Sequence, residues 1–368
     1  MLGYLCFFVF LFKRDERISS LSSVDKIIRS KSSTTSYYDR ALFHSVGYKK
    51  LKLLFYSNEK LDKMAFQLKA EKSSFKVHVE QRQKEFHCDR TYKGRTIMFY
   101  ARYRRNLFHT LNDSLMNIFA LSKEFFNGQP VSIVSLNKDP ISSWPFGYFF
   151  KNYTIIELPQ NTDETVCFES LAIGCSPYLD AYTTLMKPQW MKEFRKTFLD
   201  NLKGPETHSN EIAALKENIA YIVSRKKNRR IMNENEIISL LKKYGYSASL
   251  LKPEKHKPYE IKTILSKAKL LIGVHGAGLT NMIFLSEKAS IIQIYPYGMK
   301  IDENGIIYKR LAKSLNLNYY EWYNKHINNT FSSKINGFND FDKKNQDTIV
   351  DVVEFERIVQ KALLNTNK

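Results

Sequence analysis

None of the chain's four cysteines belongs to a C-x-x-C pair, so a structural zinc site has no donor set. There is no G-x-G-x-x-G and no Walker A run, which excludes the dinucleotide fingerprint and the P-loop. Zinc-finger spacing, an RNP-like aromatic motif and a basic heptad helix are also missing, so nucleic-acid binding has no motif behind it. Acidic residues are scarce: 37 Asp and Glu face 57 Lys and Arg, a formal charge of +20. That balance suits an anionic partner, although cations spread along the whole chain, as these are, mostly form a solvated surface. The apolar run at the N-terminus, MLGYLCFFVFLF, is about eleven residues against the roughly 20 a bilayer span needs. Its length fits the apolar core of a signal sequence, and it reads as a signal anchor, with Ser19 to Ser36 as a serine-rich stem.

Setting Cys6 aside, Cys88, Cys167 and Cys175 allow one bridge and one leftover thiol. Cys167 and Cys175 stand in one apolar stretch, where a buried free cysteine is the common outcome. Three N-x-S/T sequons, at Asn112, Asn152 and Asn328, fit a secretory protein.

What is present is enough for two domains: 368 residues with 43% apolar content. The most informative stretch is LLIGVHGAGLTNMIFLSEKASIIQIYP, 270 to 296. Leu270 to Val274 reads as a strand buried on both faces, His275-Gly276-Ala277-Gly278 as a turn, Leu279 to Leu285 as helical, and Ser290 to Tyr295 as the next parallel strand. Glycines there allow positive φ and close approach of another group, and a helix start carries unpaired amides and a positive dipole end. The turn therefore suits phosphate, though the same pattern also serves plain βα packing.

A second strand, Ile219 to Ser224, runs into Arg225-Lys226-Lys227-Asn228-Arg229-Arg230. Cations at the end of a parallel strand face the ligand crevice, and arginine grips phosphate bidentately. Asn233 and Glu236 suggest a capping box for a helix from Glu234 to Tyr244 closed by Gly245. Strand 247 to 251, helix 259 to 267 and the central stretch complete a βαβαβαβ series, a doubly wound sheet. A helix from 306 to 317 and a strand from 319 to 322 follow. Upstream, Asn106 to Phe126 forms a helical pattern on which His109 and Asp113, four apart, share a face with Asn106 one turn earlier. An imidazole and a carboxylate so placed can deprotonate a hydroxyl, with the choice of base open; a surface hydrogen-bonded pair is the plain alternative. Residues 75 to 79, 97 to 100, 131 to 136, 153 to 158 and 166 to 174 read as strands, 51 to 68 and 190 to 202 as helices. Asp340-Phe341-Asp342 is a D-x-D match in a polar tail, away from any strand end. The last amphipathic helix spans Val352 to Leu364.

GVHGAGLTNMIFL resembles the signature of glycosyltransferase family 61, and NLFHTLNDSL, TVCFESLAIG and SRKKNRRIMNENEI match further family stretches in the same order. The resemblance implies an α/β fold of GT-B type, two Rossmann-like domains facing a cleft, with the last helix crossing back over the first. The implied domains are 1–36 anchor and stem, 37–205 acceptor side, 206–325 nucleotide-sugar side, and 326–368 loop and C-terminal helix. It implies inverting transfer of N-acetylglucosamine from UDP-GlcNAc to a protein-linked acceptor, an O-mannose glycan. Transfer to Ser or Thr of EGF-like domains, transfer of a pentose such as xylose, and a glycan-binding pseudoenzyme are the alternatives. His109 and Asp113 become the catalytic candidates. Asn106, Arg225, Arg229, His275, Gly276, Ala277, Gly278, Leu279 and Thr280 become the nucleotide-sugar candidates. No metal ligand and no required cofactor are expected, the need for a divalent metal being left open. The expected partners are the nucleotide sugar, a glycoprotein and a membrane through the N-terminal anchor, with no nucleic acid. The expected place is the Golgi or endoplasmic reticulum lumen.

Overall fold

In the computed structural model the described residues are 23–28, 37–38, 40–49, 52–56, 64–68, 75–82, 84, 86–99, 106–136, 146–150, 153–156, 158, 163–174, 187–204, 218–299, 306–331 and 345–366. The N-terminal apolar run, Asn152, Cys175 and Asp340-Phe341-Asp342 lie outside them. No described helix is long and apolar enough to cross a membrane. The chain divides into two compact units, residues 1–190 and 191–368.

In the first unit, β1 (Ser23–Ile28), β2 (Tyr37–Tyr38), β3 (Arg40–Lys49), β4 (Lys52–Tyr56), β5 (Met64–Leu68), β6 (Phe75–Arg82), β7 (Arg90–Phe99), β8 (Ser132–Ser135), β9 (Thr154–Ile156) and β10 (Val166–Gly174) form one sheet. The order is β2-β5-β6-β4-β3-β10-β7-β8-β9, with β1 on β3. Four adjacent strands pair in parallel throughout, β10-β7-β8-β9. From β3 onward the sheet is mixed, since β3 runs antiparallel to β10, β4 and β1. Two expectations are corrected here. The stem contains β1, paired with Arg40 to His44, and the helix foreseen over 51 to 68 is the strand pair β4 and β5. Both of those strands pair with β6, and such long-range pairing decides the state of short apolar runs that periodicity leaves ambiguous.

A third correction concerns Cys167, which is bridged to Cys88 with a Cα–Cα distance of 5.7 Å. Parallel pairing of β10 with β7 sets Cys167 opposite Thr91, next to the start of β7, across 79 residues of sequence. Between β7 and β8 runs one helix, α1, which is α over Leu107–His109, π over Thr110–Leu115 and α again over Met116–Phe126. Its apolar side buries Leu111, Leu115, Ile118, Phe119 and Phe126, and left-handed Asn127 ends it. After β8 the short α2 (Phe146–Phe149) packs aromatic rings against Phe99.

The helix α3 (Pro188–Asn201) belongs with the second unit, not with the end of the first domain as its pattern suggested. Phe198 stacks on Phe284 at 6.2 Å, and the Lys262 ammonium donates to the carbonyls of Leu199 and Leu202. Five strands follow: β11 (Ile219–Val223), β12 (Ser247–Leu251), β13 (Leu270–Val274), β14 (Ser290–Tyr295) and β15 (Asn318–Tyr323). All pair in parallel in the order β12-β11-β13-β14-β15. By appearance that is 2-1-3-4-5, a doubly wound order. Its helices are α4 (Glu234–Lys243), α5 (Pro258–Leu265), α6 (Ile307–Ser314) and α7 (Val352–Thr366).

One core joins Ala220, Ile222, Leu270, Ile272, Ile292, Ile294 and Trp322 to Ile237 and Leu241 of α4 and Phe355 and Val359 of α7. The terminal helix thus packs on this unit's own sheet. Its stripe Phe355, Val359, Ala362 finds cover there, and the Ser290 hydroxyl donates to the Ala362 carbonyl at 3.1 Å. At α4 the expected capping box is replaced: Asn233 uses its side chain on the backbone of Val350, accepting from its N–H at 2.9 Å and donating to its carbonyl at 2.8 Å. The far end is as foreseen, with Gly245 at φ +78° and Tyr246 N–H returning to Leu241.

Candidate active site

On α1 the sequence builds a held imidazole. Asn106 caps the helix, its Oδ1 accepting from Phe108 N–H at 3.1 Å. The first turn then widens, because the Asn117 amide donates to the carbonyls of Asn112 at 3.2 Å and Asp113 at 2.8 Å while Met116 N–H reaches back to Leu111. Side-chain insertion into the ladder is a known cause of such turns, which gather at functional sites. Across it, His109 Nδ1 lies 2.7 Å from Asp113 Oδ2. The other carboxylate oxygen accepts from the Asn112 amide, also at 2.7 Å. A carboxylate can only accept here, so Nδ1 carries the proton and Nε2 the basic lone pair. Both side chains are partly open to solvent, whereas Asn112 is 5% exposed, which closes its sequon.

The second unit builds a different kind of site. In a 2-1-3-4-5 sheet the crevice opens where the order reverses, between β11 and β13, beyond their C-terminal ends. The basic loop follows β11 and the glycine turn follows β13. Gly276 sits at φ +151°, and a Cβ there would strike the Arg229 guanidinium and come 3.1 Å from Arg225 Nη1. At Gly278 a Cβ would come within 2.8 Å of Val223, so its role is packing. Arg229 itself is left-handed, φ +60°, a conformation costing a non-glycine residue about 1–3 kcal/mol. It donates to the His275 carbonyl at 3.1 Å. Burial pulls both guanidiniums below their ordinary pKa, and for Arg229 the Arg225 charge adds to this. They remain charged nonetheless. Arg225 has no hydrogen bond or salt bridge among the described residues, while Lys226 and Lys227 are solvated.

Expected as a helix, the segment after the turn, Ala277–Phe284, is 3-10, and the Asn281 amide donates to the Gly278 carbonyl at 2.8 Å. A 3-10 segment aligns fewer amides, so attraction for an anion here rests on the two arginines more than on a dipole. Thr280 Oγ1 and Asn281 Oδ1 are buried without a partner among the described residues.

Sequence reasoning missed the residues that hold the loop. Asn345 Oδ1 accepts from Arg229 Nε at 3.3 Å, Arg229 Nη2 at 3.2 Å and the Asn228 amide at 3.2 Å. Asp347 takes Arg230 through Nε at 2.8 Å and Nη2 at 2.6 Å. Nothing in the local pattern of 345 to 348 announces this. Gln293 was missed too: it is fully buried in β14, with its amide nitrogen 3.0 Å from His275 Nδ1. Its signal was legible, a lone amide in the middle of SIIQIY. His275 also stacks on Tyr295 and meets Tyr308 edge-on at 5.2 Å. Among the described residues no three of His, Cys, Asp and Glu gather as a metal-binding set.

Of the expected residues, the structure thus brings Asn106, His109 and Asp113 together in the first unit. In the second it brings Arg225, Arg229, His275 and Gly276 together, with Ala277, Gly278, Leu279 and Thr280 continuing from the turn.

The family model for glycosyltransferase 61 matches residues 107–292. An alpha-1,3-arabinosyltransferase of Oryza sativa subsp. japonica is 28% identical over 60% of this chain and 39% of its own length. A xylan glycosyltransferase of Arabidopsis thaliana is 25% identical over 59% of this chain and 47% of its own. The Mus musculus protein O-linked-mannose beta-1,4-N-acetylglucosaminyltransferase 2 is 24% identical over 61% of this chain and 41% of its own. The chain therefore spans less than half the length of these relatives.

Proposed function

The chain belongs to glycosyltransferase family 61, and from that premise we propose that it is an inverting transferase that takes its sugar from a UDP-linked donor. The observation that carries this is the pair of half-buried arginines converging on the Gly276 backbone at the switch point of the second sheet. A pyrophosphate leaving with its electron pair needs fixed positive charge waiting for it. Arg225 and Arg229 supply that charge, and Gly276 lets the phosphates approach the backbone. His109 Nε2 removes the acceptor hydroxyl proton as that oxygen attacks the anomeric carbon and the bond to UDP breaks. Asp113 orients the imidazole and stabilises its protonated form. With the charge supplied by arginine, no metal is required by this reading. A GT-B-type architecture belongs to the same proposal.

N-acetylglucosamine is the first choice of donor sugar, passed to a protein-linked O-mannose glycan. Pentose transfer is the second reading, favoured by the 28% identity to an arabinosyltransferase. A lumenal compartment is supported by the Cys88–Cys167 bridge, since such bonds persist where the surroundings oxidise. The test is the thermal midpoint of the purified chain with UDP, UDP-GlcNAc, UDP-xylose and UDP-arabinose, each with and without manganese. A shift with UDP, larger with one sugar nucleotide and independent of manganese, is the expected result and names the donor. Absence of any shift would overturn the proposed site.

A further inference from the structure

The glycine turn carries its histidine on a buried chain of hydrogen bonds. Tyr295 OH lies 3.3 Å from Tyr319 OH, Tyr319 OH donates to Gln293 Oε1 at 2.8 Å, and Gln293 Nε2 stands 3.0 Å from His275 Nδ1. Gln293 is 0% exposed and His275 8%. A primary amide in the middle of a central parallel strand has a high desolvation cost unless both its ends are used, and here both are. The direction of the chain follows from its donors. Burial pushes the Tyr295 phenol up to about 12 and raises Tyr319 as well, so both stay protonated. With Tyr319 donating to Oε1, the amide presents N–H to the ring, and Nδ1 must accept.

We propose that Gln293 is a positioning residue that fixes His275 as a neutral ring with its proton on Nε2, so that the turn offers the diphosphate of the donor an N–H rather than a lone pair. The inference rests on the nucleotide site proposed above. The described groups that face His275 agree with it. Tyr295 and Tyr308 lie against the ring, Arg229 binds its carbonyl, and Arg225 stands close to Gly276. Arg229 and Arg225 are cations, and a second positive charge on the ring beside them is unfavourable. Farther along, Glu321 is taken up by Tyr323, whose ring stacks on Tyr295. His109 has the opposite arrangement: its Nδ1 faces a carboxylate and donates. One chain thus contains two histidines held in opposite tautomers, one as base and one as donor.

The experiment is nitrogen NMR of the histidine-labelled full chain, with His275→Gln used to assign the resonance, together with UDP affinity across pH 6 to 8. The wild type is expected to show a proton on Nε2 of His275 and none on Nδ1 throughout that range. Gln293→Glu turns the amide donor into an acceptor. It is expected to move the proton to Nδ1, to weaken UDP by about tenfold and to make its binding depend on pH. Gln293→Leu removes the donor without adding charge and is expected to weaken UDP several-fold and to mix the tautomers. Tyr319→Phe, which keeps the ring, reports on the same chain should either variant fail to fold. Wild-type spectra with the proton on Nδ1 would overturn the proposal, as would Gln293 variants that bind UDP like the wild type while Arg229→Ala has lost it. If Arg229→Ala also binds UDP normally, the nucleotide site itself is wrong, a separate failure.

Discussion

The two candidate sites differ in how their charges are kept. On α1 the two candidate groups complement each other: His109 faces Asp113, and Asp113 is held at its second oxygen by Asn112. In the second unit Arg225 and Arg229 face no carboxylate at hydrogen-bonding distance and lose solvent to burial. The imidazole on α1 stands against a carboxylate, whereas the two partly desolvated guanidiniums have no carboxylate at hydrogen-bonding distance among the described residues. On the proposed reading, binding and proton transfer are built separately, one on a loop beyond a strand end and the other on a distorted helix. Substitutions should therefore divide along the same line.

The largest effect is expected from His109→Ala, which should lower kcat by about 10²–10⁴-fold and leave the UDP dissociation constant within a factor of two. Turnover assays beside UDP titration would show this, and a variant that loses UDP instead would abolish the distinction. Asp113→Asn should lose less, since it keeps a partner for Nδ1 but allows the wrong tautomer. Next comes the bridge that ties β7 to β10 in the unit carrying the dyad. Replacing Cys88 and Cys167 together by serine should cost that unit about 2–4 kcal/mol in denaturant unfolding. UDP affinity, which the proposal assigns to the other unit, should stay where it was. The comparison then sharpens on the anion side. Arg229→Ala should weaken UDP by about 10–100-fold, the worth of a charge-assisted hydrogen bond. Gly276→Ala should match it, because its methyl group would displace the same guanidinium.

How far all this was legible also divides along the two units. The second sheet could be read because strands buried on both faces are continuous apolar runs: LLIGV and SIIQIY state themselves. The basic loop and the glycine turn follow such strands directly, so their placement in the crevice came with the strands. In the first unit β4 and β5 are short runs whose state is set by pairing across the sheet, and 51 to 68 was read as helix for that reason. The π turn could not be foreseen from helical spacing either, because it depends on where the Asn117 amide goes. Cys167 was misread because its partner is 79 residues away. Asn345 and Asp347 stayed invisible for the same cause: a polar tail has no periodicity, and only the fold returns it to the arginine loop.

That return leads to the smallest effect. Asn345 Oδ1 receives three N–H groups, two of them from the Arg229 guanidinium. A carboxylate in its place would pair with Arg229 and compete with phosphate, whereas an amide oxygen holds the guanidinium by its dipole and leaves its charge uncancelled. Asn345→Ala should therefore free the side chain and weaken UDP by about three- to tenfold, the value of a neutral hydrogen bond or two. Asn345→Asp should hold Arg229 better and still bind UDP worse, because the added anion faces the incoming diphosphate. The two variants thus weaken binding for opposite reasons, and salt tells them apart. Screening should recover part of the loss in Asn345→Asp and none of the loss in Asn345→Ala, when each is compared with the wild type at the same ionic strength. Equal salt responses in the two variants would mean that Asn345 only packs the loop, and that Arg225 and Arg229 are kept unpaired by something else.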